Sequence, residues 1–279
     1  MTVTNVTVEK LHPFGVAVRP SQSAKAVTEL PVERLRELVR THHLLLLRGF
    51  ASFTSPVDLT EWCGGWGEIS MWPFGAVLEL VEHEDPSDHI FDNSYVPLHW
   101  DGMYRKQIPE FQVFHCVSAP GESQGGRTTF SNTSAVLDEA APETRRRWEQ
   151  VTGTYRRKME YYDSTAVSPV VATHPVGGFP VLRYGEPVPD GDPNFINHPD
   201  LEFTGVDPAE LGRFHDSIRE ALYAPEHFYR HIWRDGDVVV ADNYTLLHGR
   251  EAFTSRASRH LRRVHVLGDP PLHNSALVD

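Results

Sequence analysis

The sequence predicts a mainly β fold, an antiparallel barrel or jelly roll with helices on its outside. Three observations carry this. Short apolar or alternating runs recur along the chain, and the 21 prolines and 20 glycines are spread throughout it. The few helical segments do not alternate regularly with the strands, which argues against a doubly wound parallel sheet. Neither G-x-G-x-x-G nor G-x-x-x-x-G-K-[ST] occurs, so nucleotide binding through those loops has no support.

The elements follow in chain order. Gly15–Val18 reads as a strand. Val32–Thr41 places Leu35, Leu38 and Val39 on one stripe of a helix. Leu44–Phe50 is a strand that contains Leu44–Leu47, one of the longest purely apolar runs. Pro56–Trp66 reads as a second helix. Ala76–Val81, Phe111–Val117 and Arg127–Ser131 follow as strands. Ser134–Trp148 is a third helix, with Asn132 or Thr133 near its cap. Val151–Tyr155 and Phe179–Tyr184 are strands. Pro208–Leu222 carries the clearest helix signal. Asp207 sits at the N-cap, Pro208 opens the first turn and Glu210 is the third residue. Leu211, Phe214, Ile218 and Leu222 then recur at helical spacing. Asp237–Asp242 is a buried strand reached through a turn at Gly236, and Arg263–Leu267 is the last strand.

Composition bounds the function. The chain has 279 residues, of which 40% are hydrophobic and 23% charged, so one large domain with a packed core is expected over residues 1–279. Twenty-six Lys and Arg against 38 Asp and Glu give a net charge of -12, which disfavours nucleic acid as a partner. No apolar run approaches the roughly 18 residues of a membrane span. The N-terminal stretch Met1 to Lys10 is polar and lacks a signal-peptide core. Cys63 and Cys116 are too few for a disulfide framework. The expectation is a reduced, soluble, cytoplasmic protein that acts on a small molecule. The oligomeric state is left open, a homo-oligomer included.

Sixteen histidines are the compositional outlier. Histidine is the commonest metal ligand, and a strand places residues i and i+2 on one face. His-x-Asp can therefore aim an imidazole and a carboxylate into one space. It occurs at His83-Glu84-Asp85, His99-Trp100-Asp101 and His198-Pro199-Asp200. The first lies in an acidic stretch and the third among prolines, so both read as loops. His99 instead stands between Tyr95-Val96-Pro97-Leu98 and Gly102-Met103, where a carboxylate such as Asp101 is costly unless paired or metal-bound. A buried His–Asp hydrogen bond is the plain alternative there. The best third ligand is His248, at the end of the apolar run that begins at Asp237. Taken alone it reads as a core histidine. What lifts it is TSRASRHLRR, Thr254 to Arg263, which puts Arg259 and Arg263 11 and 15 residues after His248. Strand parity gives the two arginines one face, and their planar forks suit bound carboxylates. A solvated basic run is the plain alternative.

Together these residues resemble the taurine dioxygenase (TauD/TfdA) family of iron(II)/2-oxoglutarate-dependent dioxygenases. The likeness runs from about Leu44 to Leu267. It comprises His99-Trp100-Asp101, Gly125-Gly126-Arg127-Thr128, Trp233 with Gly236-Asp237, Asp242-Asn243, His248-Gly249-Arg250 and Arg259, in that order. The segment His99–Cys116 further resembles the PvcB-like branch, which acts on isonitrile derivatives of amino acids. The resemblance implies a double-stranded β-helix, a cupin-like jelly roll with flanking α-helices. It implies that His99, Asp101 and His248 hold Fe(II) as a two-histidine, one-carboxylate triad that leaves positions for 2-oxoglutarate and O2. It further implies that Arg259 and Thr128 bind 2-oxoglutarate and that Arg263 binds an anionic substrate group. Tyr104, five residues past His99, is a candidate pocket residue. Lys158 and Arg183 read as solvated charges, with binding of a carboxylate as the alternative, Tyr161-Tyr162 as packing, and Cys116 as a small buried hydrophobe.

Three functions stay in play. The first is hydroxylation or desaturation, with or without decarboxylation, of a small amino-acid-derived acid. In its narrow form the substrate is an isonitrile amino acid of natural-product biosynthesis; in its broad form, a free or carrier-bound amino acid or a sulfonate. The second is a cupin-like metal isomerase or hydrolase, which has no use for an inward Arg259. The third is a non-catalytic binding barrel.

Overall fold

The computed structural model describes residues 6–21, 25–188, 196–197 and 199–278. The loop reading of His198 falls outside them. Two β-sheets form the body. The larger sheet runs Val6–Lys10, Val16–Pro20, Leu44–Leu47, Val238–Asp242, Phe111–Ser118, His260–Gly268 and Glu68–Ile69, and Val77–Leu80 also pairs with His260–Gly268. The smaller runs Phe228–His231, Thr128–Asn132, Leu246–Arg250 and Val96–His99. Within these sheets the pairing is antiparallel except between Val16–Pro20 and Leu44–Leu47.

The apolar runs explain why the sheets stack. A sheet buried on both faces needs continuous rather than alternating hydrophobicity. Leu45, Leu47, Val113, Val238, Val240 and Val264 pack outward against Leu35 and Val39 of the Val32–His42 helix and Leu59 and Trp62 of the Pro56–Gly64 helix. Their neighbours Leu44, Leu46, Phe114, Cys116, Val239 and Leu261 pack inward with Phe130 and Leu246 of the smaller sheet. The result is the expected jelly roll with flanking helices. A further sheet of Asp200–Thr204, Thr152–Met159, Tyr162–Pro169 and Leu277–Val278 stands beside it. Its Tyr155 and Ala166 share a core cluster with the Leu211–Tyr223 helix through Phe214, Ile218 and Leu222.

Two expected helices change form. Ser134–Trp148 is two helices, Thr133–Glu139 and Pro142–Glu149, with Ala140 and Ala141 extended between them. Pro142 is the cause: it drives its predecessor out of helical geometry and then starts a new helix at its favoured first position. Pro208–Leu222 opens as a 3-10 turn, Pro208–Glu210, and becomes α-helical over Leu211–Tyr223. Asp207 caps that turn by accepting from the Ala209 N–H. No described helix is long and apolar enough to cross a membrane.

Candidate metal centre and its cavity

The smaller sheet brings the two histidines together. Val96–His99 and Leu246–Arg250 pair antiparallel with His248 directly opposite His99. On its other side His248 faces Phe130, and Phe114 of the larger sheet lies 6.1 Å from its ring, so it sits between the two sheets. The rings of His99 and His248 are 4.2 Å apart.

Asp101 arrives by a route that strand parity does not describe. The strand ends at His99, and Asp101 lies in the turn beyond it. Asn243 sets its position. Its Oδ1 accepts from the Asp101 N–H at 3.0 Å, and its Nδ2 donates to the carbonyls of Asp101 and Pro109, both at 2.9 Å. Gly102 completes the turn at φ +90, where a Cβ would come within 2.6 Å of Pro109 Cδ.

The ligand atoms of His99, Asp101 and His248 lie within 4.8 Å of one another. His99 Nε2 is 3.7 Å from Asp101 Oδ1, and His248 Nε2 is 3.6 Å from Oδ2, both too long for hydrogen bonds. The His99 Nδ1 N–H donates to the Pro97 carbonyl at 2.9 Å, which leaves the Nε2 lone pair facing the cluster. Burial pushes both imidazoles below their ordinary pKa, so they are neutral at neutral pH. Burial pushes the Asp101 carboxyl up, but Arg263, His265 and His248 outweigh it and hold it well below the carboxylate range. Two neutral imidazoles and one carboxylate around an unbridged gap fit a divalent iron with open positions. They would hold it through Nε2 of each histidine and the less engaged Oδ1 of Asp101.

Oδ2 of Asp101 is already engaged. It accepts from Arg263 Nη1 at 2.7 Å, His265 Nε2 at 2.9 Å and Gln112 Nε2 at 3.1 Å. Sequence reasoning missed Gln112 and His265, and it gave Asn243 a place in the Asp242-Asn243 motif without a role. Of the two that were missed, only His265 had a signal, since it lies two residues after Arg263 on the same strand face. Arg263 was expected to meet substrate. It does line the cavity, with one nitrogen committed to Asp101.

Arg259 is 6% exposed. Its Nε donates to the Gly126 carbonyl at 3.0 Å. Neither Nη has a partner among the described residues, yet neither is sealed from solvent. Burial, with the nearby Arg250 charge, pulls this guanidinium down to about 9. A buried cation with an open fork and no counter-ion among the described residues fits a carboxylate ligand, as 2-oxoglutarate would supply. Thr128 is 3% exposed, and its Oγ accepts from Trp233 Nε1 at 3.0 Å, so its own O–H is free to donate. Gly126 has φ +72, and a Cβ there would lie 2.8 Å from Arg259 Cδ. Gly126→Ala should therefore weaken 2-oxoglutarate binding several-fold while Fe(II) affinity holds, measurable by calorimetry. The left-handed backbone adds about 1–2 kcal/mol of strain.

Above His99 and Asp101 opens a cavity of about 170 Å³, walled by Trp72, Phe74, Met103, Tyr104 and Tyr162 among others. Tyr104, the candidate pocket residue, stacks on Tyr162 at 5.5 Å and 12°. Tyr161-Tyr162, expected to serve only as packing, both line this cavity. Lys158 is exposed and pairs with Asp163, as a solvated charge would. Arg183 corrects its expectation. It is buried, lies 3.7 Å over the Trp100 ring and donates to the Asn243 carbonyl at 3.0 Å. Arg250 is also structural, binding the carbonyls of His89, Ile90 and Ser94 and so pinning the segment before the His99 strand. Cys116 is buried, and burial pushes its thiol up to about 12.

The family described as taurine catabolism dioxygenase TauD, TfdA matches residues 7–265. The chain is 52% identical over 264 residues to a tyrosine isonitrile desaturase of Pseudomonas aeruginosa, covering 95% of this chain and 91% of that one. It is 35% identical over 262 residues to a 3-((Z)-2-isocyanoethenyl)-1H-indole synthase of Fischerella ambigua, covering 94% and 95%. A solved structure of PvcB, described as an Fe, alpha-ketoglutarate dependent oxygenase from an isonitrile synthetic pathway, is similar at TM-score 0.86 and 46% identity, covering 100% of this chain and 98% of that one. A taurine dioxygenase of Burkholderia xenovorans shares the fold at TM-score 0.72 and 19% identity, covering 99% and 97%.

Proposed function

Since the chain belongs to the TauD, TfdA family and is an Fe(II)- and 2-oxoglutarate-dependent oxygenase, we propose that it desaturates an α-isocyano acid bearing an aromatic side chain. The observation that carries this reading is the aromatic-walled cavity over His99 and Asp101, in a chain 52% identical to a tyrosine isonitrile desaturase. In this reading His99, Asp101 and His248 hold the iron, and Arg259 with Thr128 holds 2-oxoglutarate. Iron with 2-oxoglutarate and O2 supplies the oxidising power to break a C–H bond.

The remaining work falls to the chain. Trp72, Phe74, Tyr104 and Tyr162 offer flat faces to an aromatic ring and keep water from it. Gln112, His265 and Arg263 hold Oδ2 of Asp101, which leaves Oδ1 as the ligand atom. Arg263 also gives the cavity a positive charge beside the metal, suited to the substrate carboxylate. No side chain need act as acid or base to remove the hydrogens. The balance is one α-isocyano acid, 2-oxoglutarate and O2 giving the unsaturated acid, succinate, CO2 and water. Decarboxylative desaturation would release a second CO2 in place of the acid group.

The test is reconstitution with Fe(II) and 2-oxoglutarate, presenting isocyano acids made from tyrosine, phenylalanine and tryptophan. The expected result is succinate and alkene in equal amounts, with no oxygen incorporated into product. A hydroxylated product, or turnover confined to taurine or free amino acids, would overturn the reading.

A further inference from the structure

Three arginines line the cavity, and two are committed within it. Arg263 donates to Asp101. Arg105 lies 4.2 Å over the Trp72 ring and donates to the Met71 carbonyl. Arg157, on the Thr152–Met159 strand, is placed differently. Its Nη2 pairs with Asp88 Oδ2 at 2.5 Å. Its Nε is sealed without an acceptor. Its Nη1 has no partner among the described residues, yet it is not sealed.

Asp88 cannot follow a ligand. It is 1% exposed, its Oδ1 accepts from the Ile90 N–H at 3.1 Å, and its Oδ2 also accepts from Asn197 Nδ2 at 2.9 Å. The Arg157–Asp88 pair is therefore a fixed, nearly neutral unit with an idle N–H donor. That decides what it can recognise. A carboxylate placed there would meet the Asp88 charge as well as the guanidinium. A neutral oxygen needs only the donor, and leaving such a donor unpaired is costly. The wall beside it is flat and aromatic: Tyr104 and Tyr162 stack at 12°. Arg263 bonds Asp101 directly, whereas Arg157 is held on Asp88. His99 and Tyr162 feel both charges, but the Tyr104 phenol feels chiefly that of Arg157, and Asp101 and His248 chiefly that of Arg263. Arg263 thus stands at the metal, and Arg157 stands toward the tyrosine wall.

We propose that Arg157 is the specificity-determining residue that reads a hydroxyl on the substrate ring, its Nη1 donating to the phenol oxygen. This rests on the substrate reading above and narrows it to phenolic over unsubstituted aromatic acids.

The experiment compares kcat/KM, and Kd by calorimetry, for isocyano acids made from tyrosine and from phenylalanine. The wild-type protein should prefer the tyrosine-derived acid at least tenfold. In Arg157→Met that preference should shrink to within about threefold, the larger loss falling on the tyrosine-derived acid. Because Arg157→Met leaves Asp88 buried without its cation, the double variant Asp88→Asn/Arg157→Met removes the pair together and should give the same result. Equal turnover of both acids by wild type, or equal loss of both in the variants, would overturn this assignment and leave the substrate reading standing. Turnover of the tryptophan-derived acid alone would overturn this assignment only, and turnover of none of the three would remove both.

Discussion

Asp101→Ala is expected to lower Fe(II) affinity by more than about a hundredfold and to abolish succinate formation. Loss of an outer partner of a metal ligand commonly costs 10–100-fold in affinity or activity, so loss of a ligand itself should exceed that range. The substitution does more than remove one donor. It leaves Arg263 Nη1 and His265 Nε2, both in a largely buried site, without the oxygen they share. Two uncompensated cationic or polar groups beside two imidazoles make the site hostile to any cation. Competition against a fluorescent chelator measures the affinity, and circular dichroism checks that the sheet survives. Affinity within tenfold of wild type would mean that the iron is held elsewhere. Arg263→Ala offers the contrast: Oδ1 stays in place, so the loss should remain inside the 10–100-fold range.

Arg259→Ala is the second large effect. A charge-assisted hydrogen bond is worth about 1.5–3 kcal/mol, and the open fork offers a two-point contact. The 2-oxoglutarate Kd should rise by about tenfold to a hundredfold or more. Fe(II) binding without 2-oxoglutarate should be unchanged, because the one hydrogen bond Arg259 makes among the described residues is to the Gly126 carbonyl. Arg259→Lys should recover only part of the loss, since an ammonium cannot reproduce the planar fork. Calorimetric titration with the cosubstrate, alone and over Fe(II), separates the two quantities. Equal weakening of metal and cosubstrate would place Arg259 at the metal instead.

Much of this was legible in the sequence because the chemistry is carried by residue types in order. A histidine and carboxylate in an apolar setting, a histidine closing a buried run and an arginine eleven residues later are unusual enough to be noticed. The continuous runs at Leu44–Leu47 and Val238–Asp242 likewise announce a sheet covered on both faces. The strands that carry the ligands were harder to see. Pro97 hides Val96–His99, since proline removes a ladder donor, and Leu246–Arg250 follows Val238–Asp242 so closely that the two read as one apolar run. The grip on Asp101 was hard to see for a different reason. Gln112, His265 and Asn243, just past Val238–Asp242, are brought to it by pairings among Phe111–Ser118, Val238–Asp242 and His260–Gly268, and local spacing hints at His265 alone. Arg183 looked like any surface charge until Trp100 covered it.

The facing positions of His248 and His99 have a consequence for damaged protein. Side chains alternate faces with a period of two, so a slip of one residue in this pairing would turn one imidazole away altogether. A lesion that loosens the ladder should therefore divide a preparation into fully competent and wholly inert molecules, and counting active sites would expose it where an averaged rate would not.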